Sequence, residues 1–283
     1  MRAFYELTKP GIAGYVMMTA GVSAYLASHG RLSLSLALHT MVGVGLATAG
    51  ALALNQYLER DADAVMLRTR NRPIPSGRIR PGEALAFGAV LLAVGVLYIG
   101  LLVGWLPGGL TLASAAAYMG IYTPLKTRSY LATLAGGIPG AMPTLIGWTA
   151  ATGDFNLGGG TLFAIAYLWQ LPHVLGLSWM LREDYERVGF KLIPPHDDAG
   201  HVIALHMALA TSALLPVSLL PSIIGYTGEW YFTGALLLST AFLAVSLRGV
   251  VRLTEDAARR VFFASLLYHP ALLALMVLDT IRL

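Results

Sequence analysis

Three residues with oxygen-bearing side chains are spaced four residues apart near residue 60. Asn55, Glu59 and Asp63 are spaced i, i+4 and i+8, which places side chains along one face of an α-helix. Carboxylate and amide oxygens suit a hard cation, and Mg²⁺ in proteins usually combines one or two carboxylates with waters and substrate phosphates. The stripe therefore predicts a Mg²⁺ site; the alternative is a helix end whose charges simply face water.

A cluster of arginines follows this stripe directly. Arg68, Arg70, Arg72 and Arg78 all lie within 15 residues of Asp63. Guanidinium groups bind phosphate oxygens in pairs, whereas carboxylates alone would repel a polyphosphate. The acidic and basic side chains together indicate a metal-bound diphosphate with an apolar tail. The alternative is that the arginines only anchor the chain at a membrane surface, which explains their number but not the acidic stripe.

The elements that carry these residues are long apolar segments. Hydrophobic residues make up 56% of the 283 residues and charged residues 12%, against roughly 25% charged residues in soluble domains. Charges occur in short groups between the apolar runs, as is typical of a polytopic helical membrane protein. The chain has no cysteine, which excludes disulfides and thiolate metal sites. We expect an all-α protein, with residues 1–283 forming one bundle and one domain around a central cavity.

Hydropathy predicts nine transmembrane helices. The fourth, at 109–122, is short for a bilayer that requires roughly 20 residues, and its loss would invert the topology of everything after it. Glycines and prolines at 136–143 predict either a bend or break in the fifth helix or a packing kink. The nine predicted spans are about 10–28, 34–57, 83–104, 109–122, 130–151, 160–181, 201–224, 230–250 and 261–280.

The positive charges predict the orientation. With the N-terminus in the cytoplasm, seventeen of the nineteen Lys and Arg residues lie on the cytoplasmic side, and only Arg31 and Arg282 lie outside. Eight or ten spans would remove this asymmetry. Topology therefore explains the formal net charge of +4, and nucleic acid is not expected as a partner. The expected location is the plasma membrane, with both long loops, 58–82 and 182–200, in the cytoplasm.

The motifs in and around these loops resemble the UbiA superfamily of intramembrane prenyltransferases. The family pattern N-x-x-x-D-x-x-x-D matches at Asn55 and Asp63, with Glu59 in place of the middle Asp. The second acidic motif is Glu183-Asp184-Tyr185 rather than D-x-x-x-D, which is similar to the heme O synthase branch. Further similar stretches are 7–10, 63–73, 122–126, 136–143, 147–148, 169–173 and 183–189. The stretch 195–201 is unlike the family, and no role is assigned to it.

The resemblance implies a reaction and a role for each motif residue. A farnesyl group would pass from farnesyl diphosphate to a vinyl group of heme B, with Mg²⁺ as cofactor, giving heme O and diphosphate. The residues expected to hold Mg²⁺ are Asn55, Glu59, Asp63 and Asp184. The cations expected to neutralise the leaving group are Arg68, Arg72 and Lys126. The side chains expected to contact substrate are Tyr57, Tyr122, Trp169, Gln170, His173, Glu183 and Tyr185. Among these, Tyr57, Tyr122 and Trp169 would stabilise an allylic cation through their aromatic faces.

The acceptor side leaves alternatives open. Gln170 and His173 lie in the sixth predicted span, where a polar side chain facing lipid is unfavourable, so both are expected to face the bundle interior. His173 would contact the porphyrin, as an iron ligand or as cavity lining, or would only make an interhelical hydrogen bond. A UbiA-type enzyme with an aromatic, quinone-precursor acceptor is the second hypothesis. A transporter is the third, and the clustering of charges at one face disfavours it. Expected partners also include the lipid bilayer and downstream heme-modifying or oxidase-assembly proteins.

Overall fold

The structure, a computed structural model, describes residues 1–249 and 253–282. The described residues contain thirteen α-helices and no β-strand, with one isolated bridge between Thr227 and Thr280. The helices are α1 (Arg2–Leu7), α2 (Pro10–Ala27), α3 (Leu34–Leu58), α4 (Arg60–Val65), α5 (Pro81–Leu102), α6 (Trp105–Ala117), α7 (Thr123–Leu125), α8 (Ala132–Thr152), α9 (Leu157–Met180), α10 (Arg182–Arg187), α11 (His201–Ile223), α12 (Glu229–Leu247) and α13 (Glu255–Leu278). The end of the eighth predicted span and the start of the segment that joins it to the ninth lie outside the described residues.

The fourth predicted span is longer than hydropathy indicates. The helix begins at Trp105, and α6 continues through a π-helical turn, Tyr118–Tyr122, directly into α7. At about 1.5 Å per residue, helical backbone from 105 to 125 extends about 30 Å, enough for the hydrocarbon core. Hydropathy does not predict the start of this helix, because Gly104, Pro107 and Gly109 are residue types typical of loops. Proline is nevertheless well tolerated in the first turn of a helix.

Six helices in the described part of the chain are long and apolar enough to cross a membrane: α3, α5, α9, α11, α12 and α13. The protein is therefore a multi-pass membrane protein. Three other long helices, α2, α6 and α8, are richer in Gly, Pro, Ser and Thr. Residues of all three helices line the interior cavity described below. A helix that faces a cavity needs less apolar surface than a helix that faces lipid.

Small residues allow the long helices to approach closely. A Cβ added at Gly50 of α3 would lie 2.4 Å from the backbone nitrogen of Leu92 in α5. A Cβ at Gly147 of α8 would lie 2.0 Å from the carbonyl oxygen of Ala20 in α2. Such contacts are typical of membrane helix pairs, where packing rather than hydrophobic burial drives association. They fix α3 and α8, two of the helices that form the cavity walls.

The predicted break in the fifth helix is absent, because α8 runs from Ala132 to Thr152 with Pro139 and Pro143 inside it. Polar side chains of neighbouring helices donate to carbonyls close to these prolines. The amide of Gln170 in α9 donates to the carbonyl oxygen of Gly137 at 2.6 Å, and the hydroxyl of Ser114 donates to that of Pro139 at 3.2 Å. Side-chain donors of this kind stabilise carbonyls near proline inside membrane helices. The irregular segment lies before α8, between Lys126 and Ala132.

The two long loops are folded rather than extended. Ile74 and Ile79 of the first loop are buried against Leu7, and Arg78 forms an ion pair with Glu6 at 2.6 Å. In the second loop, the stretch 195–201 has a structural role that its sequence did not reveal. The carboxylate of Asp197 is buried and accepts hydrogen bonds, each 3.1 Å, from the backbone nitrogens of Val202 and Ile203 at the start of α11.

Candidate active site

The predicted stripe lies on the wall of an interior cavity of about 510 Å³. Asn55 belongs to the last turn of α3, Glu59 joins α3 to α4, and Asp63 lies in α4. The backbone hydrogen bonds from Glu59 to Asn55 (2.9 Å) and from Asp63 to Glu59 (2.8 Å) continue the helical pattern across this junction. The i, i+4, i+8 spacing therefore keeps all three side chains on one wall.

Each carboxylate of the stripe is paired with a cation that also lines the cavity. Lys126 Nζ donates to Glu59 Oε1 at 2.6 Å, and Arg72 Nη1 donates to the two carboxylate oxygens of Asp63 at 2.6 and 2.7 Å. Asp63 is completely buried, and the Lys126 and Glu59 side chains are each 10% exposed. Buried carboxylates require such partners, because desolvation strongly disfavours an isolated charge.

Two further cations line the cavity without an ion pair to any described carboxylate. Arg68 is one of the predicted residues, whereas Lys9, at the start of α2, was not predicted. Burial and the nearby charge of Arg72 lower the pKa of Lys9 to about 8, with Glu59 and Asp63 acting in the opposite direction. The sequence held one signal for Lys9, a cation directly before the proline that opens the first span. The cavity therefore holds more positive than negative charge, which suits an anionic ligand.

The surroundings of Lys126 come from both long loops. Its Nζ lies 4.5 Å from the ring centroid of Tyr122 and 5.7 Å from that of Phe190. The backbone nitrogen of Lys191 donates to the carbonyl oxygen of Lys126 at 2.6 Å. Burial acts against the charge on Lys126, but Tyr122, Glu59 and Tyr118 outweigh it and raise the pKa above its ordinary value. Lys126 is therefore a permanent cation at the charged end of the cavity.

The remainder of the cavity is largely apolar. Its lining includes Ile12, Val16, Val44, Leu52, Ala115, Ile146, Val174 and Leu177. Three other predicted residues, Tyr122, Gln170 and Tyr185, also contribute to the lining. A cavity with a charged end and an apolar body matches a ligand with an anionic head and a hydrocarbon tail.

Five predicted site residues are not among those that line this cavity. The ring of Tyr57 lies 4.7 Å from the Arg60 guanidinium carbon, Glu183 is exposed, and Asp184 accepts a hydrogen bond from Arg187 at 2.9 Å. Trp169 and His173 lie on a different face of α9 from Gln170. The structure thus brings Asn55, Glu59 and Asp63 together but does not bring Asp184 into the same set.

Trp169 and His173 pack against α13 instead. The Trp169 indole nitrogen donates to the carbonyl oxygen of Ser265 at 2.7 Å, and His173 Nδ1 lies 2.9 Å from the Ser265 hydroxyl. His173 stacks on Trp169 and on Phe262, with ring centroids 5.5 and 4.7 Å apart. This cluster is completed by His269, which stacks on Trp169 and hydrogen-bonds to Tyr15 of α2. It forms a second polar and aromatic surface within the bundle.

The chemistry of the stripe fits a divalent cation. Within the described residues no three His, Cys, Asp or Glu side chains gather into a metal-type group, so carboxylates alone do not build a site. Glu59 and Asp63 are two carboxylates, and the amide of Asn55 donates to Thr123 at 3.4 Å, which leaves the amide oxygen free of a described hydrogen bond. Two carboxylates and an amide oxygen, completed by phosphate oxygens and water, suit Mg²⁺.

The fold and the site define a class of protein: a helical membrane protein whose cavity accepts an anionic head group and an apolar tail. The UbiA prenyltransferase family matches residues 16–267, and the chain belongs to that family. It is 41% identical to the protoheme IX farnesyltransferase of Solibacter usitatus over 99% of both chains. It is 40% identical to the protein of the same name from Myxococcus xanthus over 98% of this chain and 94% of that one.

Solved structures support the same fold at low sequence identity. A digeranylgeranylglyceryl phosphate synthase superposes with a TM-score of 0.84 at 17% identity, covering 100% of this chain and 99% of the other. A UbiA homologue from Archaeoglobus fulgidus, bound to GPP and Mg²⁺, superposes with a TM-score of 0.66 at 13% identity, covering 97% and 99%. These two superpositions show that the chain has the same fold as both proteins.

Proposed function

We propose that this protein transfers a farnesyl group from farnesyl diphosphate to a vinyl group of heme B, giving heme O and diphosphate. The observation that carries the proposal is the cavity, with two carboxylate–cation pairs, two further cations and an apolar body. The relatives named protoheme IX farnesyltransferase, which match over nearly the full chain, support the choice of reaction. We further propose that residues 1–283 act as one transferase domain.

Donor binding would exchange the partners of the charged side chains. Glu59, Asp63 and Asn55 would hold Mg²⁺, while Lys126 and Arg72 would turn from the carboxylates to the diphosphate oxygens. Arg68 and Lys9, which need not leave a carboxylate, would bind the same head group. The metal supplies Lewis-acid stabilisation of the leaving diphosphate when it is bound. The role of Asp184 as a fourth ligand remains a prediction from the resemblance.

The reaction breaks the allylic C–O bond and forms a C–C bond. Lys126, Arg72 and Arg68 stabilise the charge that develops on the diphosphate, and their positions are set before the reaction begins. The face of Tyr122, already beside the Lys126 cation, stabilises the allylic cation. The apolar walls exclude water until the cation has added to the vinyl group. Water then adds to the resulting porphyrin-conjugated cation and loses a proton, which gives the hydroxyethylfarnesyl substituent.

The acceptor would lie at the aromatic surface formed by Trp169 and His173. This surface is on α9, the helix that also presents Gln170, Val174 and Leu177 to the donor cavity. An aromatic surface suits a porphyrin, and a histidine suits its iron. Donor and acceptor would thus be brought together by two faces of one helix.

Product analysis tests the proposal. Purified protein with Mg²⁺ and farnesyl diphosphate is given heme B in one reaction and a hydroxybenzoate in another, and the products are identified by mass. We expect heme O from the first reaction and no prenylated product from the second. Prenylation of the hydroxybenzoate with heme B left unchanged would show an aromatic-acceptor enzyme instead.

Lys9 is expected to bind the diphosphate through its charge. Lys9→Met should raise the KM for farnesyl diphosphate about tenfold or more, because a charge-assisted hydrogen bond contributes roughly 1.5–3 kcal/mol. The KM for heme B should stay unchanged, and Lys9→Arg should retain most of the affinity. An equal KM for farnesyl diphosphate in Lys9→Met and wild type would remove Lys9 from the site.

The long loops are proposed to face the cytoplasm at the plasma membrane. Contacts between Glu59 and Lys126 and between Lys126 and Lys191 place both loops at one end of the bundle. Because the chain has no cysteine, single introduced cysteines report sidedness cleanly. In intact cells, an impermeant thiol reagent should label Asp154→Cys from outside and should label Thr127→Cys only after permeabilisation. The reverse pattern would invert the topology.

The charged end of the cavity would then receive the farnesyl diphosphate head group from the cytoplasm, and heme B and heme O would move within the lipid bilayer. Heme O would pass to downstream heme-modifying or oxidase-assembly proteins.

A further inference from the structure

We infer that Ser265 of α13 is a positioning residue that fixes the ring tautomer of His173, so that Nε2 carries the lone pair and faces the heme acceptor. The inference rests on the proposed function, which places the acceptor beside His173. It adds a residue outside every motif that the sequence singled out.

The hydrogen bonds of Ser265 determine the tautomer. A serine hydroxyl has one proton and two acceptor lone pairs. The Ser265 hydroxyl donates to the carbonyl oxygen of Phe262 at 2.5 Å, one turn earlier in α13. Two oxygens 2.5 Å apart need a proton between them, so the Ser265 proton lies toward the Phe262 carbonyl and the hydroxyl accepts at its 2.9 Å contact with His173 Nδ1. Nδ1 must carry the hydrogen, and in a neutral imidazole the lone pair then lies on Nε2.

Two aromatic rings and one hydrogen bond hold the His173 ring in place. Trp169 covers one side and Phe262 stacks on the ring as well, while Nδ1 is held by Ser265. Trp169 is itself fixed by its hydrogen bond to the carbonyl oxygen of Ser265. No described residue hydrogen-bonds to Nε2, and the side chain is only partly buried. Histidines that bind metal commonly use the second ring nitrogen as a donor to an orienting group.

His269 provides a contrast within the same cluster. Its Nδ1 is bonded to the Tyr15 hydroxyl, and its ring stacks on Trp169 with centroids 4.2 Å apart. It is 2% exposed, so no edge is open to a ligand. Of these two histidines, His173 is the one whose geometry leaves a nitrogen for the acceptor.

Heme binding without the prenyl diphosphate measures the effect of Ser265. Heme B is titrated into the detergent-purified protein, and the iron–histidine stretch of the ferrous form is recorded by resonance Raman spectroscopy. His173→Ala should lose the stretch. Ser265→Ala should weaken heme binding about tenfold and shift the stretch, because orienting partners typically change metal affinity 10–100-fold. Ser246→Ala is the matched control, since Ser246 is equally buried and bonds only to the Phe242 carbonyl of its own helix.

A double variant separates positioning from a general structural effect. If Ser265 acts through His173, then Ser265→Ala should have no effect on heme binding in the His173→Ala background. Equal weakening in both backgrounds would overturn the inference. If only Ser265→Ala leaves the stretch and the affinity unchanged, the inference is wrong and the proposed function stands. If His173→Ala also leaves both unchanged, the acceptor site itself is wrong.

The wild-type protein gives a measurement that does not depend on a variant folding. The ¹⁵N NMR signals of the His173 ring, assigned by their loss in His173→Ala, should show a protonated Nδ1 and an unprotonated Nε2. The opposite assignment would overturn the inference.

Discussion

Asp63→Asn is expected to lower kcat/KM for farnesyl diphosphate by about 10²–10³-fold, the loss typical of one preorganised electrostatic group. The substitution keeps the shape of the side chain but removes a charge that is completely buried and paired with Arg72. The metal would lose a carboxylate ligand, so less of the diphosphate charge would be neutralised as the C–O bond breaks. Steady-state kinetics at several Mg²⁺ concentrations measure the effect.

Asp61→Asn is the matched control for this prediction, because Asp61 lies in the same short helix with its side chain 89% exposed. It should keep wild-type kinetics. Thermal unfolding of both variants separates loss of chemistry from loss of fold, since the Asn variant leaves Arg72 with a weaker partner. Turnover by Asp63→Asn at the wild-type rate would mean that the Asp63 carboxylate only pairs with Arg72 and binds no metal.

Lys126→Met is expected to lower kcat/KM by about 10²-fold or more, because it removes the permanent cation at the charged end of the cavity. The variant also leaves the buried carboxylate of Glu59 without its 2.6 Å partner. We expect tighter apparent binding of divalent metal ions alone, as Glu59 no longer has to release a lysine. The two effects should appear together in kinetics and in metal titration.

Lys191→Met serves as the control, because Lys191 is an exposed lysine of the second loop whose backbone, not side chain, bonds to Lys126. Its kinetics should match those of the wild type. Wild-type kcat/KM in Lys126→Met would exclude Lys126 from stabilising the leaving group.

The helices and the shared cavity wall of Asn55, Glu59 and Asp63 could be predicted because each rests on a local pattern. Long apolar runs mark helices whatever their neighbours are, and the spacing of Asn55, Glu59 and Asp63 survives the junction between α3 and α4. The start of the fourth long helix was missed because Pro107 reads as a loop residue, although it is harmless in a first helical turn.

The rest of the site depends on contacts between distant segments. Lys9 lines the same cavity as residues 59–72 of the first loop, which lie at least 50 positions further along the chain. Gln170 and His173 are three residues apart on α9. Two side chains at this spacing can lie on the same face of a helix or on two adjoining faces. The packing of α13 determines which of these applies, because α13 contacts His173 while Gln170 lines the cavity. Ser265 carries no sequence signal of its own.

The central claim is that one cavity holds the metal-bound diphosphate at its charged end and the prenyl chain along its apolar body. A structure with Mn²⁺ and a non-hydrolysable farnesyl thiolodiphosphate tests it most directly, because Mn²⁺ is located by its anomalous signal. The account predicts Mn²⁺ on Asn55, Glu59 and Asp63, with Lys126 and Arg72 moved from the carboxylates to the diphosphate. Mn²⁺ bound elsewhere, with both ion pairs intact beside the bound analogue, would contradict it.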